Sequence, residues 1–167
     1  FRSEAPGSSN MHNVNLSPDG KLAFMSPNGR QLTIADTATA KAIRTITFPD
    51  NVRVQVLNKD ASKIYVGQNN FLGYIVADTR TGQILQPVEV TSVDWRKVWN
   101  APSRPKVAHA CPSHGIAITQ DGKEVWLADG IFHKIHIFSN DDNPKEIATI
   151  DTPNDTFWLT ASVDGKL

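Results

Sequence analysis

One phrase recurs four times along the chain and sets its period: Ser17-Pro18-Asp19-Gly20-Lys21, Asn58-Lys59-Asp60-Ala61-Ser62-Lys63, Gln120-Asp121-Gly122-Lys123 and Val163-Asp164-Gly165-Lys166. From Asp19 through Asp60 and Asp121 to Asp164 the steps are 41, 61 and 43 residues, so the middle step carries an insertion. Asp-Gly suits a tight hairpin because glycine accepts the positive φ such turns demand. A strand-built unit of roughly 40 to 45 residues is the length of a propeller blade. The sequence therefore predicts an all-β chain, a β-propeller segment with about three complete four-stranded antiparallel blades and part of a fourth.

The strands fall into register with the phrase. Entering strands are predicted at His12 to Ser17, Arg53 to Asn58, His114 to Thr119 and Phe157 to Ser162, each alternating as a half-buried strand does. Leaving strands follow at Leu22 to Met25, Ile64 to Gly67 and Val125 to Ala128, with third strands at Gln31 to Asp36, Gly73 to Asp78 and Lys134 to Phe138. Fourth strands are predicted at Ala42 to Phe48, Ile84 to Val90 and Glu146 to Ile150. Residues 1–167 form one domain, with blades at 12–50, 51–90 and 111–153, an incomplete blade at 154–167 and an insertion at 91–110. Ala61 stands where the other copies have glycine, which predicts a turn of slightly different shape.

Composition narrows the partners. Lys plus Arg and Asp plus Glu number 17 each, so no net field draws the chain to nucleic acid. No apolar run is long enough to span a bilayer as a helix. Cys111 is the single cysteine and forms no intrachain disulfide. A ring usually takes four to eight blades. The segment is thus expected to be a fragment of a six- to eight-bladed ring, the remaining blades coming from the same polypeptide or a second chain.

Several stretches carry a resemblance: Ser17-Pro18-Asp19-Gly20-Lys21, Lys63-Ile64-Tyr65-Val66-Gly67, Val76-Ala77-Asp78-Thr79-Arg80-Thr81-Gly82 and Pro112-Ser113-His114-Gly115-Ile116-Ala117. Together they resemble the YVTN-type β-propeller repeat family. The resemblance implies an exported bacterial protein, periplasmic or secreted, acting as a binding or scaffolding module. Related propellers include lactonases and redox enzymes, which supply the competing expectation of a propeller enzyme.

Candidate site residues come from register. Seven residues before each turn aspartate stand His12, Arg53, His114 and Phe157. If the entering strand is innermost, these positions ring the channel mouth opposite the Asp-Gly turns. His12, Arg53 and His114 there could hold an anion, or a metal with His12, His114 and His109 as ligands; alternatively each histidine closes a blade junction through the backbone. No cofactor is otherwise predicted. The insertion offers Trp95, Arg96 and Trp99, either as a stacking platform for a protein or small-molecule partner or, being four apart, as one helical face packed on the blade. Cys111 and His114 are three apart, open either to thiolate chemistry or to a structural thiol. His133 and His136 fall on opposite faces of one strand, the first expected at its start near the insertion face and the second a packing or surface residue. No Walker loop, GxGxxG, HExxH or GxSxG string occurs.

Overall fold

The computed structural model describes residues 11–27, 29–107, 110–154 and 156–162. Its strands form three separate four-stranded antiparallel sheets. The first holds β1 (Met11–Leu16), β2 (Leu22–Pro27), β3 (Gln31–Asp36) and β4 (Lys41–Thr47). The second holds β5 (Val52–Leu57), β6 (Lys63–Gln68), β7 (Gly73–Asp78) and β8 (Ile84–Glu89). After the short helix α1 (Trp95–Trp99) comes the third, with β9 (Ile116–Ile118), β10 (Glu124–Asp129), β11 (Lys134–Ser139) and β12 (Glu146–Asp151). Each sheet is a meander in chain order. The first strands touch, β1 against β5 and β5 against β9, so the sheets fan outward from them.

Alternation explains the stacking. In the middle sheet Ile64, Val66, Ile75 and Ala77 face the first sheet and join Phe24, Leu32, Ile34, Ile46 and Phe48. Their chain neighbours Tyr65, Tyr74, Val76 and Val88 face the other way and join Val125, Leu127 and Phe138 of the third sheet. Successive strand side chains point to opposite faces, so a run such as Gly73-Tyr74-Ile75-Val76-Ala77 buries both of its sides. In the first sheet Val14 and Leu16, opposite in parity to Asn15 and its partner Phe24, point away from this core and stay exposed.

The repeated turns share one hydrogen-bond plan. Asp19, Asp60 and Asp121 accept the backbone N–H two residues on, from Lys21, Ser62 and Lys123. Ser17, Asn58 and Thr119 accept the next N–H, from Leu22, Lys63 and Glu124. A side chain after the third strand, Thr37, Thr79 or Asn140, donates to the carbonyl of the turn residue Gly20, Ala61 or Gly122. The turn at Ala61 keeps the common shape: its φ of 54° matches Gly20 at 70° and Gly122 at 75°, so alanine takes up left-handed backbone where a different turn was expected. The hydrogen bonds around it hold that conformation.

Regular irregularities mark both sheet margins. On the fourth strands the register shifts at one equivalent place, inserting Ile43 in β4, Leu85 in β8 and Ile147 in β12. All three are exposed. On the first strands it shifts between Met11 and Asn13 and between Val52 and Gln55, at His12 and Arg53.

The predicted entering strand at Phe157 to Ser162 is not a strand; 156–162 have no regular secondary structure. A strand needs a partner ladder, and this segment crosses the start of β9 instead. A Cβ on Gly115 would meet Leu159 N at 2.6 Å and Trp158 C at 2.8 Å. The fourth turn, Val163 to Lys166, lies outside the described residues.

Ala40 (φ 58°) and Gly82 (φ 80°) end equivalent turns between the third and fourth strands, and Ala40 is exposed. Left-handed backbone costs an L-residue about 1 kcal/mol or more, against a smaller entropic loss on introducing glycine. Ala40→Gly is expected to raise the melting temperature by about 2 °C and Gly82→Ala to lower it by at least as much, as read by thermal denaturation.

Candidate functional site

The breaks in the inner ladders aim the mouth residues. A bulge re-aims a side chain without unravelling a sheet, and here it falls on the position seven before the turn aspartate in β1 and β5. In the third sheet regular pairing begins only at Ile116, leaving His114 just ahead of the ladder. Three of the four register-equivalent side chains meet. The His12 and His114 rings lie 5.4 Å apart at 64°, and Phe157 stacks on His114 at 3.9 Å and 19°. Trp158 stands edge-on to His114 at 4.8 Å. Arg53 donates from Nε to Asn69 Oδ1 at 2.5 Å.

His12 and His114, which their register sets at one mouth two blades apart, are thus in ring contact. Among the described residues no group of three or more His, Cys, Asp or Glu side chains is placed to hold a metal. His109 lies outside the described residues. Stacked and edge-on aromatic neighbours cover much of the His114 ring, which is 3% exposed.

The insertion packs down. Trp95 and Trp99 are 3% and 4% exposed and belong to the core between the second and third sheets. The indole N–H of Trp95 donates to Glu89 Oε1 at 2.9 Å and that of Trp99 to Asn70 Oδ1 at 3.3 Å. Arg96 lies over Trp95 and Arg104 over Trp99 at 4.7 and 4.5 Å. Arg96 also pairs with Glu89. With their faces covered from both sides the tryptophans fasten the loop to the blades, the packing arrangement of the two that four-residue spacing allows, and Arg96 alone of the three remains exposed.

Cys111 and His114 do not form a reactive pair. The thiol is buried, donates to the Ser113 carbonyl at 2.6 Å, and burial pushes its pKa up to about 12 despite the nearby Arg53 charge. A catalytic thiol needs the opposite shift and access to solvent. A thiol-specific reagent at neutral pH is expected to leave Cys111 unmodified in the folded protein and to react after denaturation; rapid native labelling would contradict this burial.

His133 is exposed, whereas His136 is fully buried. Its Nε2 lies 3.0 Å from Asp129 Oδ2 and its Nδ1 2.8 Å from Glu146 Oε1. Ser92 donates to the same Glu146 oxygen at 2.7 Å, joining the insertion to β12. Burial works against the imidazolium, but hydrogen bonds and charge from the two carboxylates outweigh it and hold the His136 pKa above its ordinary 6.5. A raised folded pKa contributes stability that is complete below about 6.5 and is lost as pH rises through the folded value. The carboxylates of Asp19, Asp36, Asp60, Asp78 and Asp121 are lowered, chiefly by hydrogen bonds, and act oppositely, their contribution vanishing in acid. Stability to urea is expected to fall from near pH 6.5 into the alkaline range, and His136→Gln to flatten that fall; an unchanged slope would refute the assignment.

The first strands also enclose an axial cleft of about 640 Å³. Its walls are Asn13, Asn15 and Leu16 of β1, Val54 to Leu57 of β5, β9 and the segment 158–161, and among the described residues Lys59 is the only ionisable side chain lining it. Trp158, 59% exposed, stands at one wall. Gln55 is 3% exposed; its Nε2 donates to the Phe24 carbonyl at 2.7 Å, while its buried Oε1 accepts no hydrogen bond. Asn15 donates from Nδ2 to the Gln55 carbonyl at 2.6 Å, so the sequon Asn15-Leu16-Ser17 points its amide inward. The sequence reading did not single out Gln55, Asn13 or Trp158. The available signal was a polar residue inside the apolar strand Val52-Arg53-Val54-Gln55-Val56-Leu57.

The fold is that of an all-β, β-propeller-like protein. No protein-family profile matches the chain, and no curated protein matches it. Among solved structures it is similar to Kuenenia stuttgartiensis hydrazine synthase, at 19% identity and a TM-score of 0.73, over 99% of this chain and 44% of that one. The chain thus spans less than half the length of that protein. The likeness supports reading the sheets as propeller blades.

Proposed function

We propose that the chain is a non-catalytic binding module, part of a six- to eight-bladed propeller whose further blades come from the same polypeptide or a second chain. It presents its axial cleft and mouth to a small-molecule or protein partner. The supporting observation is the chemistry of the cleft: amides, aliphatic side chains, one indole and the lysine Lys59, with no carboxylate, imidazole or thiol among the described lining residues. Acid–base and nucleophilic catalysis require such groups within reach of the reacting atoms, whereas binding asks for apolar area and a few oriented polar groups. An exported, bacterial setting follows from the YVTN-like resemblance and is part of the same proposal.

The competing reading is a propeller enzyme working at the mouth, favoured by the adjacency of His12 and His114. Titration calorimetry on the full-length protein with short peptides, oligosaccharides and small carboxylates, run beside turnover assays on lactones and redox dyes, separates the two. The binding reading expects a saturable ligand recovered unchanged, its affinity falling about tenfold or more in Trp158→Ala. Consumption of a substrate, abolished by His12→Ala or His114→Ala, overturns it.

A further inference from the structure

Resting on that reading of the cleft, we infer that its ligand is a neutral saccharide. A sugar ring presents hydroxyl groups at its edge, each both donor and acceptor, and a face of C–H groups with slight positive character. Recognition therefore takes uncharged side-chain amides for the edge and an aromatic face for the C–H surface, since the negative face of an aromatic ring attracts positive edges. The cleft brings both together. Trp158 is the most exposed large apolar side chain among the described residues and lines the same cleft as the amides of β1 and β5.

The amides are oriented for a donor. The Phe24 carbonyl fixes the Gln55 amide through Nε2, which aims Oε1 the other way as an acceptor buried without a donor. Leaving such an atom unmatched costs about 1–3 kcal/mol, and a ligand hydroxyl answers it. Asn15 keeps its Oδ1 available beside it while Nδ2 is held by the Gln55 carbonyl. Asn13 makes no side-chain hydrogen bond among the described residues and lines the same wall. These amides offer both acceptor and donor atoms, as adjacent hydroxyls require.

Other ligand classes fit less well. Among the described lining residues a single lysine, Lys59, gives an anionic ligand little counter-charge, and no carboxylate meets a cation. An extended peptide would add to the free edge of β5, but two carbonyls of that strand are already taken by side chains. Ser26 Oγ donates to Arg53 O at 3.3 Å and Asn15 Nδ2 to Gln55 O at 2.6 Å. An added strand would have to compete with these side chains for the edge acceptors.

The test is calorimetric titration of the full chain with maltotetraose, cellotetraose and chitotetraose, beside tetragalacturonate and an uncharged tetrapeptide. Saturable binding of at least one neutral tetrasaccharide is expected, hardly changed by raising salt because no ion pair is involved. Trp158→Ala is expected to weaken it about tenfold or more. Asn13→Ala and Gln55→Leu should weaken it severalfold, Asn13→Ala serving where the buried Gln55 substitution fails to fold. No binding by any neutral saccharide at millimolar concentration, or binding indifferent to Trp158→Ala, overturns the inference. Tetrapeptide binding that Trp158→Ala abolishes, without saccharide binding, overturns the saccharide and leaves the binding module standing; turnover at the histidines with no binding in the cleft removes both.

Discussion

Tyr65 and Val66 are neighbours on β6, point to opposite sides and are both buried. That two-sided burial of the middle sheet is the constraint on which the arrangement rests. A sheet with two apolar faces must be covered twice, and here the first and third sheets cover it. At roughly 25 cal/mol for each square ångström of apolar surface removed from water, no surface hydrogen bond competes with this term. The three innermost strands are brought together as a by-product, and the space between them becomes the axial cleft.

Precision at the cleft comes from smaller interactions repeated sheet by sheet. The aspartate turns fix where each first strand ends, and the register break at His12 and Arg53 fixes where it begins to deviate. Between those two markers lie Asn13, Asn15 and Gln55, held on a ladder whose far end is pinned by the turn. The segment 157–161 closes the other wall by lying close over Gly115, where any side chain would collide with backbone. The cleft shares its apolar wall with the cores, since Val54 and Ile116 belong to the cluster between the second and third sheets and also line the cleft.

Sequence disclosed the scaffold better than the site. Period and strand order in the three sheets were legible because each blade repeats one turn phrase and the two-residue alternation of side chains, whereas the short β9 and the strandless segment 156–162 were not. The equivalence of His12 and His114 was legible too, since both count back equally from an aspartate, whereas the contact of their rings across two blades was not. Trp95 and Trp99 left two readings open because four-residue spacing describes a packed face and an exposed one equally well; burial depends on Phe71 and Asn70, which are distant in sequence. Ala61 misled for a related reason. Local preference favoured another turn, but the hydrogen bond from Thr79 and the plan shared with the other turns kept the left-handed backbone. His136 was hidden because its partners Asp129 and Glu146 come from different strands and have no counterpart in the other two sheets.

The extra residues Ile43, Leu85 and Ile147 lie along the outer margins, one to a sheet. A straight outermost strand offers its unpaired amides and carbonyls at an even spacing, the template on which the margin of another molecule can zip. An inserted residue puts that spacing out of phase and bends the strand. Two copies approaching side by side therefore meet margins that fall out of step after a few residues, so crowding brings them into contact without letting their sheets fuse into a fibre.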